Sequence, residues 1–165
     1  MSIESSAASA ADGRERVEAD AAARGIPIEL LPRGEADSLE AAAVLLGISP
    51  HNLVKSLVVK RRDGDYLFAL VPGDRQLAWA KLRAIVGVNK LRLPEAHLAL
   101  EATGHERGTI TPLGSTTAWP VYVDASVVGE RIAMGAGERG LSLFVDADDL
   151  IAGFAATVAD ISDPL

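Results

Sequence analysis

Val54-Lys55-Ser56-Leu57-Val58-Val59-Lys60-Arg61-Arg62-Asp63-Gly64-Asp65-Tyr66-Leu67-Phe68-Ala69-Leu70-Val71 is the stretch from which the fold can be read. Two apolar, β-branched runs flank a five-residue link containing Asp-Gly, a dipeptide that closes tight hairpins because glycine accepts a positive φ. A central β-hairpin is predicted. Side chains alternate along a strand, so Lys55 shares a face with Leu57 and Val59, while Val54, Ser56 and Val58 take the other. Lysines are seldom buried without a partner, so Lys55 either reaches out to solvent along its aliphatic stem or serves a ligand.

N-terminal to the hairpin, Gly13 to Arg24 reads as a helix that Gly25 and Pro27 end, followed by a short strand over 27–31. Asp37 with Glu40 three residues on forms a capping box, and Leu39, Ala43 and Leu46 fall on one helical face before Gly47 stops the helix. Ser49-Pro50 starts a further turn through Asn52. C-terminal to the hairpin, Asp74 is the predicted cap of a helix over 75–86 that carries Trp79. A strand over 91–93 and a helix from Pro94 to about Ala102 follow. The strand over 119–123 leads into Asp124, and 131–134 pairs with 141–145 across Gly135-Ala136-Gly137-Glu138-Arg139-Gly140. These glycines do not form a dinucleotide fingerprint, which needs a helix rather than a strand after them. Asp146 or Asp148 caps a helix over 149–155, and 156–161 is a weak strand or tail. Hairpins mixed with helices predict an α+β fold, a mixed and largely antiparallel sheet flanked by helices. Residues 1–12 are expected to be a disordered tail and 13–165 a single domain.

Composition narrows the chemistry. Of the 165 residues 48% are hydrophobic but only 4% aromatic, so the core is built from Ala, Val, Leu and Ile. The absence of cysteine excludes disulfides, zinc-thiolate sites and a cysteine nucleophile. The three histidines, His51, His97 and His105, are not spaced as a metal pair, so neither a metal nor a cofactor is expected. With no signal-like start and no run near the roughly 20 apolar residues of a membrane span, a soluble, cytoplasmic protein is expected. A net charge of -7 argues against general wrapping of nucleic acid. That total conceals an asymmetry: 55–92 carries nine basic residues against three acidic, leaving seven against twenty elsewhere. The basic region either meets a local anionic partner or is a solvated face.

Thr103-Gly104-His105-Glu106-Arg107-Gly108-Thr109-Ile110-Thr111-Pro112-Leu113-Gly114 contains three glycines and a proline, and so is an ordered loop. It is either a pocket wall, where glycines let backbone N–H groups approach a ligand, or a surface connection. His105 points into a pocket or into solvent. Ser56, Ser115, Thr109, Thr111, Thr116 and Thr117 are candidate pocket hydroxyls, but no Gly-x-Ser-x-Gly elbow, P-loop or base beside them is visible. Asp124 is either an acid or base at a strand end or the start of the turn Asp124-Ala125-Ser126.

Taken in order, Val54 to Val59, Leu70-Val71-Pro72-Gly73-Asp74, Thr103-Gly104 with Gly108 to Gly114, Val121-Tyr122-Val123-Asp124, and Gly135-Ala136-Gly137 before Gly140-Leu141 resemble the YbaK/prolyl-tRNA synthetase-associated editing domain family, over about 25–151. The resemblance implies a trans-editing aminoacyl-tRNA deacylase, which hydrolyses the ester of a small amino acid mischarged onto the 3′-terminal adenosine. Its partners would be the mischarged tRNA acceptor end and an aminoacyl-tRNA synthetase. The family's essential lysine falls on Lys55 and its Gly-x-x-x-Pro loop on Gly108 to Pro112, making Lys55 and Gly108 the implied catalytic residues. Thr109, Thr111, Pro112, Gly114, Gly135, Ala136 and Gly137, with His105 and Asp124, are the implied substrate contacts. The missing triad fits, since family members are thought to let a hydroxyl of the terminal ribose position water. Cysteine-directed members commonly carry serine where this chain has Gly135. Alanine or cysteine on tRNA(Pro) is the implied target, with serine or threonine on another tRNA still open. A non-catalytic module binding tRNA ends or a synthetase, and a small-molecule binder, remain as alternatives.

Overall fold

The computed structural model describes residues 13–165, so the expected disordered tail lies outside the described residues. Helix α1 (Gly13–Arg24) leads to strand β1 (Ile28–Pro32) and helix α2 (Leu39–Leu46). Ser38, rather than Asp37, caps α2. Its backbone is the last extended one, and its hydroxyl accepts the Ala41 N–H at 3.0 Å. A single 3₁₀ turn (Pro50–Asn52) enters β2 (Val54–Arg62), which pairs antiparallel with β3 (Asp65–Pro72) through the predicted turn, with Gly64 at φ 73°.

The helix expected over 75–86 is shorter. Arg75–Leu77 is strand β4, and helix α3 spans Trp79–Val86. Tertiary pairing overrides local propensity, because β4 lies antiparallel to the C-terminal strand and Arg75 Nε donates to the Ser162 hydroxyl at 2.7 Å. The Asp74 carboxylate instead takes His51 Nδ1, at 2.8 Å. The expected strand at 91–93 is reduced to one bridge, Arg92 to Lys60. Helix α4 (Ala96–Thr103), β5 (Val121–Asp124), β6 (Arg131–Gly135) and β7 (Leu141–Asp146) follow the prediction closely. Helix α5 (Ala147–Phe154) starts directly after Asp146, and the weak terminal segment resolves into β8 (Thr157–Ala159) and β9 (Ser162–Pro164).

The strands form sheets of order β1-β7-β6, β2-β3-β5-β8 and β4-β9. All pairs are antiparallel except β3-β5 and β5-β8, so the architecture is the expected mixed, largely antiparallel α+β fold. Strand β3 is buried on both faces, which explains its unbroken apolar run. Tyr66, Phe68 and Leu70 join the main core with α1, α4 and α5, while Leu67, Ala69 and Val71 pack with Leu82 of α3 and Ile161.

The outer edge of β2 is what positions the site. At its start Leu53 bridges in parallel to Ala133, joining the first two sheets. Further along, Lys60 exchanges backbone hydrogen bonds with Arg92, at 2.7 and 3.2 Å. Between these two contacts the edge at 54–58 opens onto a cavity.

Candidate active site

The cavity has a volume of about 630 Å³. Strand β2 contributes Val54 to Val58, the start of α2 contributes Asp37, Ser38, Leu39 and Ala42, and β6 contributes Met134 and Gly135. Arg107, Gly108 and Ile110 form the wall supplied by the glycine loop, and Leu93 to Ala96 with Ala99 close another side. The walls are largely apolar. Lys55, Arg33 and Arg107 bring positive charge, against the carboxylates of Asp37 and Glu95. Such a chamber suits a small apolar group attached to an anionic chain.

Lys55 is half-buried on the Leu57–Val59 face, as the alternation predicts, and its ammonium donates to the Arg75 carbonyl. Burial lowers its pKa from that of an ordinary lysine, with the carboxylates of Asp74 and Glu40 opposing the shift. Ser56 lies on the opposite face, its hydroxyl 3.9 Å from the Met134 sulfur. None of the described histidines lines the cavity; the titratable side chains in its lining are Lys55, Asp37 and Glu95, with Arg33 and Arg107.

Gly108 and Gly135 both reach the cavity, for different physical reasons. Gly108 sits at φ 89° with open space around its Cα, so glycine there answers a backbone requirement. Gly135 has no such φ; a Cβ on it would stand 2.8 Å from the Thr109 carbonyl carbon and from the Ile110 oxygen. Its smallness lets the loop close onto β6. The Gly137 N–H completes that closure by donating to the Thr109 carbonyl at 3.0 Å.

The remaining predicted residues stand behind the wall. Thr109 donates its hydroxyl to the Glu106 carbonyl at 2.7 Å, and Thr111 turns its hydroxyl to the Met134 sulfur at 3.3 Å. Pro112 and Gly114 are buried outside the lining. Ala136 is in the main core, and Gly137 packs against Gly13 at the start of α1. Asp124 stitches the end of β5 to the C-terminal segment, accepting from the Ser126 amide and hydroxyl and from the Ile161 N–H at 3.0 Å. Burial pushes its carboxyl upward, but these hydrogen bonds outweigh it and hold the pKa below the usual value.

His105 is fully buried. Its Nε2–H donates to the Leu113 carbonyl at 2.9 Å, and Nδ1 has no partner among the described residues. Burial lowers its pKa from 6.5, the Leu113 carbonyl opposes the shift, and the Arg16 charge lowers it further. A depressed folded pKa means that the unfolded chain binds the proton more readily. This contribution to stability is therefore complete above about pH 6.5 and is lost as pH falls from there toward the folded pKa. Chemical denaturation at pH 7.5 and 5.5 should show a smaller loss of stability in His105→Gln than in the parent; equal losses would remove His105 from the account.

Sequence reasoning missed the part played by α1. Arg16 donates from Nη2 to the Gly104 carbonyl at 2.7 Å and from Nε to the Gly114 carbonyl at 3.1 Å, while Asp20 accepts the Gly114 N–H at 2.9 Å. The helix thus clasps both ends of the glycine loop. Arg33 and Arg107 were missed as well; Arg107 lies within the loop already singled out, which was the available signal.

Residues 33–152 match the aminoacyl-tRNA editing domain. The proline–tRNA ligase of Thermosipho africanus is 42% identical over 78 residues, 47% of this chain and 14% of the ligase. That of Thermotoga neapolitana is 36% identical over 122 residues, 74% of this chain and 21% of the ligase. The chain therefore spans about a fifth or less of the length of these relatives. A crystal structure of a candidate trans-editing enzyme for prolyl tRNA synthetase superposes with a TM-score of 0.79 at 26% identity, covering 92% of this chain and 97% of that one. The crystal structure of a hypothetical protein gives 0.82 at 28% identity, covering 90% and 99%.

Proposed function

Because this chain belongs to the aminoacyl-tRNA editing domain family, we propose that it is a trans-editing deacylase, hydrolysing the ester of a small amino acid mischarged onto a tRNA, alanine or cysteine on tRNA(Pro) foremost. The observation that carries the reading is the open edge of β2, where Lys55 shares one cavity with Gly108 of the loop and an apolar interior of Val54, Val58, Ile110 and Met134.

In this reading the aminoacyl side chain enters the apolar interior, and the phosphate or ribose of the terminal adenosine meets Lys55, with Arg33 and Arg107 nearby. The Gly108 amide, which donates to no backbone carbonyl among the described residues, is the donor assigned to the ester carbonyl. Its hydrogen bond strengthens as the tetrahedral oxyanion forms, and one such donor is worth about 3–4 kcal/mol. Water attacks the carbonyl carbon, the ester C–O bond breaks, and the proton passes to the departing ribose oxygen. No histidine lines the cavity, and in this reading water is positioned by substrate and backbone, with Asp37 and Glu95 the carboxylates within the same lining. A chamber of this kind separates amino acids by roughly 1–3 kcal/mol per methylene, so size does most of the selecting.

The test is release of amino acid from tRNA(Pro) charged in turn with alanine, cysteine, serine and proline, and from other misacylated tRNAs. Turnover of a small non-cognate amino acid with proline spared is expected. No turnover on any substrate would overturn the proposal, and tRNA binding without hydrolysis would point to a binding module.

A further inference from the structure

Asp74 is the carboxylate whose charge acts most strongly on Lys55, ahead of Glu40 of α2. Its ion pair, however, is with His51 rather than with Lys55: Asp74 Oδ1 lies 2.8 Å from His51 Nδ1. The other ring nitrogen, Nε2, stands 3.2 Å from the Ser126 carbonyl oxygen, in the 3₁₀ turn that follows β5. A carboxylate and a carbonyl only accept hydrogen bonds, so both contacts can be made at once only by a ring that donates from both nitrogens, the imidazolium.

The turn that carries Asp74 is pinned in place around this pair. A Cβ on Gly73 would stand 2.5 Å from the Pro50 carbonyl oxygen and 2.8 Å from that of Leu53, so the turn lies directly on the 3₁₀ segment that presents His51. The Arg75 guanidinium is engaged with β9, donating from Nε to the Ser162 hydroxyl at 2.7 Å and from Nη2 to the Ser162 carbonyl at 3.3 Å. The Arg75 carbonyl is left for the Lys55 ammonium, because its partner residue across the β4–β9 ladder is Pro164, which has no N–H to give it.

Two further carboxylates complete the surroundings. Glu130, just before β6, accepts from the Asn52 side-chain amide at 3.2 Å and faces His51, and Glu40 faces Lys55 from α2. Burial by itself would lower the His51 pKa; the hydrogen bonds to Asp74 and to the Ser126 carbonyl, with the charges of Asp74 and Glu130, outweigh it and raise the pKa above 6.5. An uncharged ring could keep only one of its two hydrogen bonds, and the whole charge of Asp74 would then bear on Lys55. An ammonium drawn to a carboxylate must give up that attraction before it meets a substrate anion, whereas a neutral carbonyl is exchanged at little cost.

We propose that His51 is a positioning residue for Lys55: as an imidazolium it occupies and offsets Asp74, so that the ammonium rests on the Arg75 carbonyl and stays available to the substrate. What Lys55 then meets rests on the editing reading, but the coupling of His51, Asp74 and Lys55 belongs to the free protein. Its sign is fixed by charge. A cation beside Asp74 lowers the Lys55 pKa, and an unopposed Asp74 raises it.

The experiment follows the Lys55 ¹³Cε resonance by NMR from about pH 5 to 11 in the free protein, and measures kcat/KM on misacylated tRNA at pH 6 and pH 9. In His51→Gln the Lys55 pKa should rise, and kcat/KM at pH 6 should fall by about two- to fivefold, the scale of a half-exposed ion pair. At pH 9, where the parent ring has lost its proton, the two proteins should converge. His51→Arg, a cation at both pH values, should keep the Lys55 pKa from rising and restore the rate at pH 6. Asp74→Asn should lower the Lys55 pKa, and in that background His51→Gln should have no further effect, because His51 acts through Asp74. A Lys55 titration that is the same in all variants would overturn the proposal. So would a rate deficit in His51→Gln that is equal at both pH values and persists in the Asp74→Asn background, the mark of a purely structural histidine. Should His51→Gln melt early, Asp74→Asn and His51→Arg still carry the titration. Absence of deacylation on every tRNA would sink the editing reading and leave the Lys55 titration to decide this one; deacylation with a Lys55 titration indifferent to His51 and Asp74 would sink this one alone.

Discussion

In Lys55→Ala, deacylation of the preferred mischarged tRNA should fall by about 100- to 1,000-fold in kcat/KM, the scale of losing one charged hydrogen bond made in the transition state. Lys55 lines a largely apolar cavity and is half-buried, and a charge there interacts more strongly than in bulk water. Its recorded hydrogen bond is to the Arg75 carbonyl, which an incoming phosphate or ribose can replace. Truncation leaves little that must refold, so the melting temperature should stay close to the parent's. Burial lowers the Lys55 pKa, so the charged form, and activity with it, is present at lower pH and declines as pH rises through a value below that of free lysine. Lys55→Arg, which holds its charge, should abolish that decline even where its altered geometry lowers the plateau. Parental activity in Lys55→Ala would refute the assignment.

Gly135→Ala should damage both stability and activity, although it adds one methyl group and leaves an ordinary φ. The new Cβ would stand 2.8 Å from the backbone of Thr109 and Ile110, and backbone cannot rotate aside as a side-chain tip can. Either β6 or the loop must move. Overpacking of this kind costs about 1–3 kcal/mol, visible as a lower denaturant midpoint. The loop that moves carries Gly108, and a displacement of about 1 Å at a reacting group can reduce the rate about a hundredfold. Serine carries the same Cβ, so Gly135→Ser should behave alike rather than simply adding a hydroxyl to the cavity. Parental rates and midpoint in Gly135→Ala would show that the loop does not depend on this close approach.

This bears on how Gly135-Ala136-Gly137 is to be understood. The resemblance to editing domains assigns all three to substrate, whereas the structure places only Gly135 at the cavity. Ala136 is buried in the main core, and Gly137 is small because Gly13 lies against it. A run of small residues marks close packing, but which neighbour demands it depends on what the fold brings there.

Local physics determined the hairpin over 54–71, the alternation that sets Lys55 apart from Ser56, the glycine-stopped helices and the α+β class, because each depends on residues close in sequence. The order of short motifs pointed in the same way to the editing family. Contacts between distant segments could be decided only by the tertiary structure. Arg75–Leu77 became a strand because β9, nearly ninety residues later, supplies its ladder partner. The glycine loop is held by Arg16 and Asp20 of a helix with no sequence mark of that duty, and its closure depends on Gly135 meeting Thr109 and Ile110. The excess of basic residues over 55–92 was plain from the sequence, yet its gathering into one groove beside the cavity followed from the way β2, α3 and the segment after it pack. Periodicity and turn chemistry act over a few residues, whereas a site is assembled from side chains that only the folded chain makes neighbours.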